Sequence, residues 1–123
     1  LITSYGRNIS PEWVEATLLA QPQIAQAIVA GDGRPVLAAI VVPLPGVSSG
    51  DLAAAVKRAN ASLPDYARVG RWVEAEPFTV QNGLLTGNGR PVRAAVLEHY
   101  AAALAALYHD HEQSPEESHH AVL

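Results

Sequence analysis

The chain has 123 residues, 49% of them hydrophobic, and its 8 Lys+Arg against 12 Asp+Glu leave a net charge of −4. That length supports one compact domain, and so sparse a cationic complement excludes the clustered basic face of a nucleic-acid-binding protein. The absence of Cys excludes disulfides and thiolate metal sites, and no apolar run approaches the ~20 residues of a membrane-spanning helix. No basic stretch followed by an apolar one marks a secretory leader; the lack of Cys fits a reducing compartment, and a cytoplasmic location is expected. A chain that opens at Leu1 and contains no Met is expected to be a piece of a longer product.

Leu1-Ile2-Thr3 predicts a short strand that pairs with the Arg7–Ile9 region across Tyr5-Gly6. Ser10-Pro11 predicts a helix start, with Ser as N-cap and Pro at the first helical position. Glu12 and Glu15 fall in its first turns, where carboxylates suit the helix dipole; Val14 and Leu18 share a face, and Pro22 stops the helix. Ile24 to Ala30 predicts a strand, Gly31-Asp32-Gly33-Arg34-Pro35 a turn, and Val36 to Pro43 a second strand apolar on both faces. Together they predict a hairpin. After the loop at Pro45–Gly50, Leu52, Val56, Ala59 and Leu63 recur at helical spacing until Pro64. Arg71 to Ala75 predicts a third strand. A last helix from about Pro91 to Tyr108 carries the stripe Val92, Val96, Tyr100, Leu104 and Leu107. Residues 109–123 are polar and acidic and are expected to form a flexible tail, leaving 1–108 as the folded domain. The predicted class is α+β: a small mixed β-sheet of about three strands plus short β-hairpins, covered by three helices.

The most distinctive chemistry lies in Gly83-Leu84-Leu85-Thr86-Gly87-Asn88-Gly89-Arg90. Asn82-Gly83 and Asn88-Gly89 are tight-turn dipeptides, so the segment can turn sharply. Arg90 follows at once, and Pro91 is expected to open the helix. A helix N-terminus attracts anions, yet Arg90 and Arg93 add two cations there, which calls for an offsetting anion. The local pattern supports two readings: a site for a carboxylate or phosphate, or a turn-rich hairpin with two solvated arginines.

Three segments in order carry a resemblance. Gly6-Arg7-Asn8-Ile9-Ser10-Pro11 followed by Glu15, Val29 to Pro43, and Phe78-Thr79-Val80-Gln81-Asn82-Gly83-Leu84-Leu85-Thr86 resemble the C-terminal lid domain of adenylate-forming acyl-CoA synthetases, in their long-chain fatty-acid–CoA ligase form. The resemblance covers about residues 1 to 108. It implies an AMP-forming acid–thiol ligase whose N-terminal adenylation domain binds ATP and a carboxylic (fatty) acid, with Mg2+. The small domain then rotates to present a second face for thioester formation with CoA, and is inactive alone. Arg90 stands where the family has its catalytic lysine, whose charge offsets that of the carboxylate and phosphate. Arginine keeps that charge but is planar and bulkier. Tyr5, Gly6 and Arg7 match the stretch that borders the CoA channel, with Tyr5 where many relatives have a second glycine; Gly6 also suits a turn that needs φ > 0.

Other residues have plainer roles. The tail's His109, His111, His119 and His120 with Asp110 and Glu112 could bind a metal but lack a folded context, so no metal site is assigned. Glu15 is expected to compensate a helix dipole, and Trp13 and Trp72 to be core or interface residues. No nucleophile–base pair stands out. Two alternatives to the synthetase remain: a lid that has lost adenylation and keeps a regulatory or acyl-binding role, and a stand-alone α+β ligand-binding module.

Overall fold

The computed structural model describes the backbone of residues 1–113 and 121–122 and the side chains of residues 1–109. The elements run α1 (Pro11–Leu19), β1 (Ile24–Ala30), β2 (Leu37–Pro43), α2 (Ser49–Ala61), a 3-10 turn at Asp65–Ala67, β3 (Val69–Glu74), α3 (Arg93–His99), α4 (Ala101–Gln113) and the two-residue β4 (Ala121–Val122). The sheet order is β1-β2-β3-β4. β1 and β2 form the expected antiparallel hairpin, with Ile28 opposite Ile40, while β2–β3 and β3–β4 are parallel. The α+β class with a small mixed sheet therefore holds.

β2 explains the layering. Its residues alternate between two cores: Leu37, Ala39 and Val41 pack with Val14, Leu18, Leu52 and Val56 of α1 and α2. Ala38, Ile40 and Val42 pack with Phe78, Val96, Tyr100 and Leu107 on the other face. A strand covered on both faces must be apolar at every position, which is what its sequence signals. The strand's Ala residues bury little area each, but they let helices sit close on both sides.

Side chains fasten the ends of these elements. Ser48 Oγ accepts from Asp51 N at 3.1 Å and caps α2. Asn60 at the end of α2 donates to Val69 O and accepts from Val69 N, both at 2.9 Å, and so sets where β3 begins. Ser10 precedes α1 as expected, but its hydroxyl donates to Glu12 Oε2 rather than capping the backbone. Trp72 is core, whereas Trp13 is 42% exposed.

The expected single last helix is two. α3 and α4 are separated by Tyr100, whose backbone (φ −102°, ψ 15°) leaves the helical region. The buried spacing Val96, Tyr100, Leu104 survives because Tyr100 N still donates to Val96 O and Leu104 N to Tyr100 O. Apolar periodicity therefore runs straight through a break that only the backbone reveals. Nor does Pro91 open the helix: the first helical residue is Arg93, with Val92 at the N-cap. α4 continues through Gln113, and the remainder of the expected tail, apart from β4, lies outside the described residues.

Gly31 ends β1 at φ +148°, and a Cβ there would lie 2.8 Å from Leu37 Cδ2 and 3.2 Å from the Leu37 Cα. Gly31→Ala is expected to lower unfolding free energy by about 1–3 kcal/mol, from backbone strain together with crowding of Leu37, measured by urea denaturation. Tyr108 docks α4 on the sheet by donating to Val36 O at 2.9 Å, under the Arg34 guanidinium 4.8 Å from its ring centroid. Burial raises its phenol from 10.0 to about 12, and Arg34 partly opposes the shift. A pKa raised on folding contributes stability that is complete below the unfolded value and lost as pH rises through the folded one. Stability should thus fall between pH 10 and about 12, and Tyr108→Phe should lose that component of the pH dependence in alkaline unfolding curves.

Candidate functional site

The glycine-rich segment is held at its foot and exposed at its tip. Upstream, Phe78 is buried, and its main chain is gripped by one side chain of β1: Gln26 Nε2 donates to Phe78 O at 3.1 Å, and Phe78 N donates to Gln26 Oε1 at 2.8 Å. Asn82 then builds the first turn. Its Oδ1 accepts from Thr79 N and Leu84 N, both at 3.0 Å, and its Nδ2 donates to Pro77 O at 3.0 Å. Leu84 is buried in the second core and Leu85 packs beside it.

Beyond Leu85 the chain forms a small hairpin. Leu85 and Pro91 pair antiparallel; Thr86 N donates to Arg90 O at 2.7 Å and Gly89 N to Thr86 O at 2.9 Å. Thr86 Oγ1 accepts from Arg90 N at 3.1 Å. The tip residues 86–90 are exposed. Among the described residues no hydrogen bond or ion pair engages the Arg90 guanidinium. The tip therefore carries a permanent cation with its planar donors facing outward.

Arg93 behaves differently. Its Nη2 lies 2.5 Å from Glu15 Oε1, and its Nη1 donates to Val29 O at 3.4 Å. Glu15 Oε2 in turn accepts from Val29 N at 2.7 Å. Exposed Glu12 stands 3.7 Å from the same Nη2. The hydrogen bond to Glu15 raises the Arg93 pKa above its ordinary value, against the opposing effect of burial. The anion that the N-terminal cations call for is, for Arg93, a carboxylate of the chain itself. Two solvated arginines at one helix end is thus incorrect: one is clamped and one is free.

Tyr5, Gly6 and Arg7 form the second predicted feature. Gly6 N donates to Thr3 O at 3.0 Å and Thr3 N to Arg7 O at 2.9 Å, closing a turn with Gly6 at φ +80°. A Cβ on Gly6 would meet nothing within 4 Å, so inside this chain its requirement is conformational rather than steric. Tyr5 is 80% exposed. The Arg7 guanidinium sits 4.2 Å over the Tyr66 ring, and Tyr66 also meets Trp13 at 6.5 Å between centroids. The turn is tied to the β1–β2 connection: Ile2 N donates to Asp32 Oδ1, Gly33 N to Ile2 O and Ser4 N to Arg34 O. No hydrogen bond, ion pair or ring contact joins Tyr5, Gly6 or Arg7 to Arg90 among the described residues.

Two further features frame these groups. A cleft of about 470 Å3 opens beside α3 and α4, lined by Leu1, Asp32, Arg34, Arg93 and Tyr108 among others. No group of acidic or His side chains able to hold a metal ion occurs among the described residues; the side chains of the tail histidines beyond His109 lie outside those described. Sequence reasoning missed Gln26 and the Glu15–Arg93 pair. A polar residue within an apolar strand is a cue for Gln26, but nothing local links Glu15 to a partner 78 positions away.

Comparison with known proteins fits this geometry. Residues 1–112 match the family model described as the AMP-binding enzyme C-terminal domain. The chain is 30% identical over 133 aligned positions to a long-chain-fatty-acid–CoA ligase, FadD15, of Mycobacterium tuberculosis, covering 88% of this chain and 22% of that protein. It is 33% identical over 118 positions to a carboxylic acid reductase of Segniliparus rugosus, covering 85% of this chain and 10% of the relative. The solved A-PCP didomain of a Segniliparus rugosus carboxylic acid reductase, in complex with AMP, superposes with a TM-score of 0.81 at 27% identity over 93% of this chain and 18% of that one. The chain thus spans less than a quarter of the length of these relatives. With its two turns carried on a helix-covered mixed sheet, it belongs to the family of AMP-binding enzyme C-terminal domains.

Proposed function

We propose that residues 1–108 act as the mobile lid of an ATP-dependent acyl-CoA synthetase, closing over an N-terminal adenylation domain of the same polypeptide that binds a fatty acid. The observation that carries this reading is the Arg90 guanidinium, free and exposed on a hairpin whose foot is locked into the core. ATP supplies the α-phosphorus that a carboxylate attacks, and CoA supplies the thiol that later takes the acyl group. Arg90 is suited to bind phosphate oxygens through two parallel N–H groups and to offset the charge that gathers as two anions meet. Tyr5, Gly6 and Arg7 form the face for the CoA thiol: Gly6 leaves an open approach, and Arg7 and exposed Tyr5 flank it. Mg2+ would be held by the adenylation domain, since the described residues offer no cluster of ligands for it.

The likeness to carboxylic acid reductases supports a second reading of the acceptor. In it, the acyl group passes to a carrier-bound thiol rather than to free CoA. The same turn serves either thiol, and supplying CoA or a PCP to the acyl-adenylate separates the two.

ATP–pyrophosphate exchange by the intact polypeptide tests the role of Arg90. Loss of one well-placed charge contact costs about 10²–10³-fold in rate, so Arg90→Ala should reduce exchange by that factor. Arg90→Lys keeps the charge and should retain most of the exchange. Undiminished exchange in Arg90→Ala would overturn the assignment of Arg90, whereas no exchange by the unaltered intact polypeptide would favour a lid that has lost adenylation and keeps a regulatory or acyl-binding role.

A further inference from the structure

We propose that the Glu15–Arg93 pair is a positioning device for the Arg90 loop, which rests on the reading of that loop given above. The geometry is specific. Val29 lies on β1, which among the described residues has β2 as its only neighbour in the sheet. Its N–H donates to Glu15 of α1, and its C=O accepts from Arg93 of α3. The two side chains then meet each other at 2.5 Å. Three elements, α1, β1 and α3, are thereby referred to the backbone of one residue.

The reference reaches Arg90 through a short, stiff path. Arg93 is the first residue of α3. Two residues before it, Pro91 pairs with Leu85, and Val92 N donates to Leu84 O at 2.8 Å. Arg90 O accepts from Thr86 N at 2.7 Å. Each residue between Arg90 and Arg93 is thus held by the hairpin or begins the helix. A shift of Arg93 must carry the base of the tip with it. Glu15 lies in the core-facing part of α1 and is 7% exposed, so the anchor does not move with solvent-facing side chains. The two side chains are engaged with each other and with Val29, and the pair acts through Arg90.

Two variants test this. Glu15→Gln keeps an acceptor for Val29 N but removes the charge. Arg93→Lys keeps the charge but loses the fork that reaches Glu15 and Val29 O together. In the 123-residue chain, amide exchange at residues 84–92 should accelerate by about 10-fold in both, with Leu37–Pro43 changing by less than about 2-fold. In the intact polypeptide, pyrophosphate exchange should fall by roughly 10–10²-fold, as expected when a reacting group is misplaced. Thioester formation from added acyl-adenylate should stay within about 2-fold, because it uses the other face. Unchanged exchange at 84–92, or equal acceleration of β2, would overturn the proposal, the latter by making the pair a general stabiliser. So would intact adenylation in an enzyme that Arg90→Ala does impair. If exchange responds locally while Arg90→Ala leaves adenylation intact, the positioning role stands and only the catalytic reading of Arg90 falls.

Discussion

The backbone of Val29 is the point on which the two layers of this domain are joined. An edge strand exposes backbone donors and acceptors that must be satisfied or shielded. Here that need is met by side chains, Glu15 from one layer and Arg93 from the other. The charges are mutually compensated at 2.5 Å, so neither is buried alone, which is the condition under which a partly buried pair is tolerable. Without it α1 and α3 would touch β1 only through apolar contacts, which resist separation but do little to fix rotation or sliding. The pair supplies direction where the cores supply cohesion.

Around this joint the domain separates into a rigid body and two projecting turns. β2 is sealed on both faces, with Leu37 through Val42 all buried. The turn at Tyr5–Gly6 and the hairpin at 86–90 both rely on glycine backbone and carry exposed arginine or tyrosine. Each is fastened at its base, one to the β1–β2 connection by Asp32 and Arg34 and the other through Asn82 and Leu84. Fastened feet with bare tips hold each turn in place on the body while leaving its end exposed.

Much of this was legible in the residues because the relevant signals are local. The β1–β2 hairpin follows from two apolar runs around Gly31–Pro35, and α2 from Leu52, Val56, Ala59 and Leu63. The glycine-rich loop is visible as two Asn-Gly dipeptides, and one of them does form the turn that Asn82 organises. The break at Tyr100 was not legible, because burial spacing is the same on either side of it. Glu15 was assigned to a helix dipole for a similar reason: a carboxylate near a helix start has a sufficient local explanation. Its real partners, Val29 N and Arg93, depend on how α1 crosses β1, which is a tertiary fact. Burial of a carboxylate is the clue that local patterning could not weigh.

The different fates of Arg90 and Arg93 rest on Pro91. Two arginines three positions apart on one helix would share a face and compete for the single carboxylate of Glu15. Proline lacks an N–H and fixes φ, and here it pairs with Leu85 inside the hairpin instead of starting the helix. The helical repeat therefore begins only at Arg93. Arg90 is left on the strand-like arm of the hairpin, its own N–H and C=O both held by Thr86. One guanidinium is directed inward to the sheet edge and the other outward, by a backbone change of two residues. A free cation on the tip is consequently not a surplus charge that the fold failed to pair. The same short segment that satisfies Glu15 with Arg93 keeps Arg90 away from it, and an outward guanidinium so isolated is available to an anion from beyond this domain.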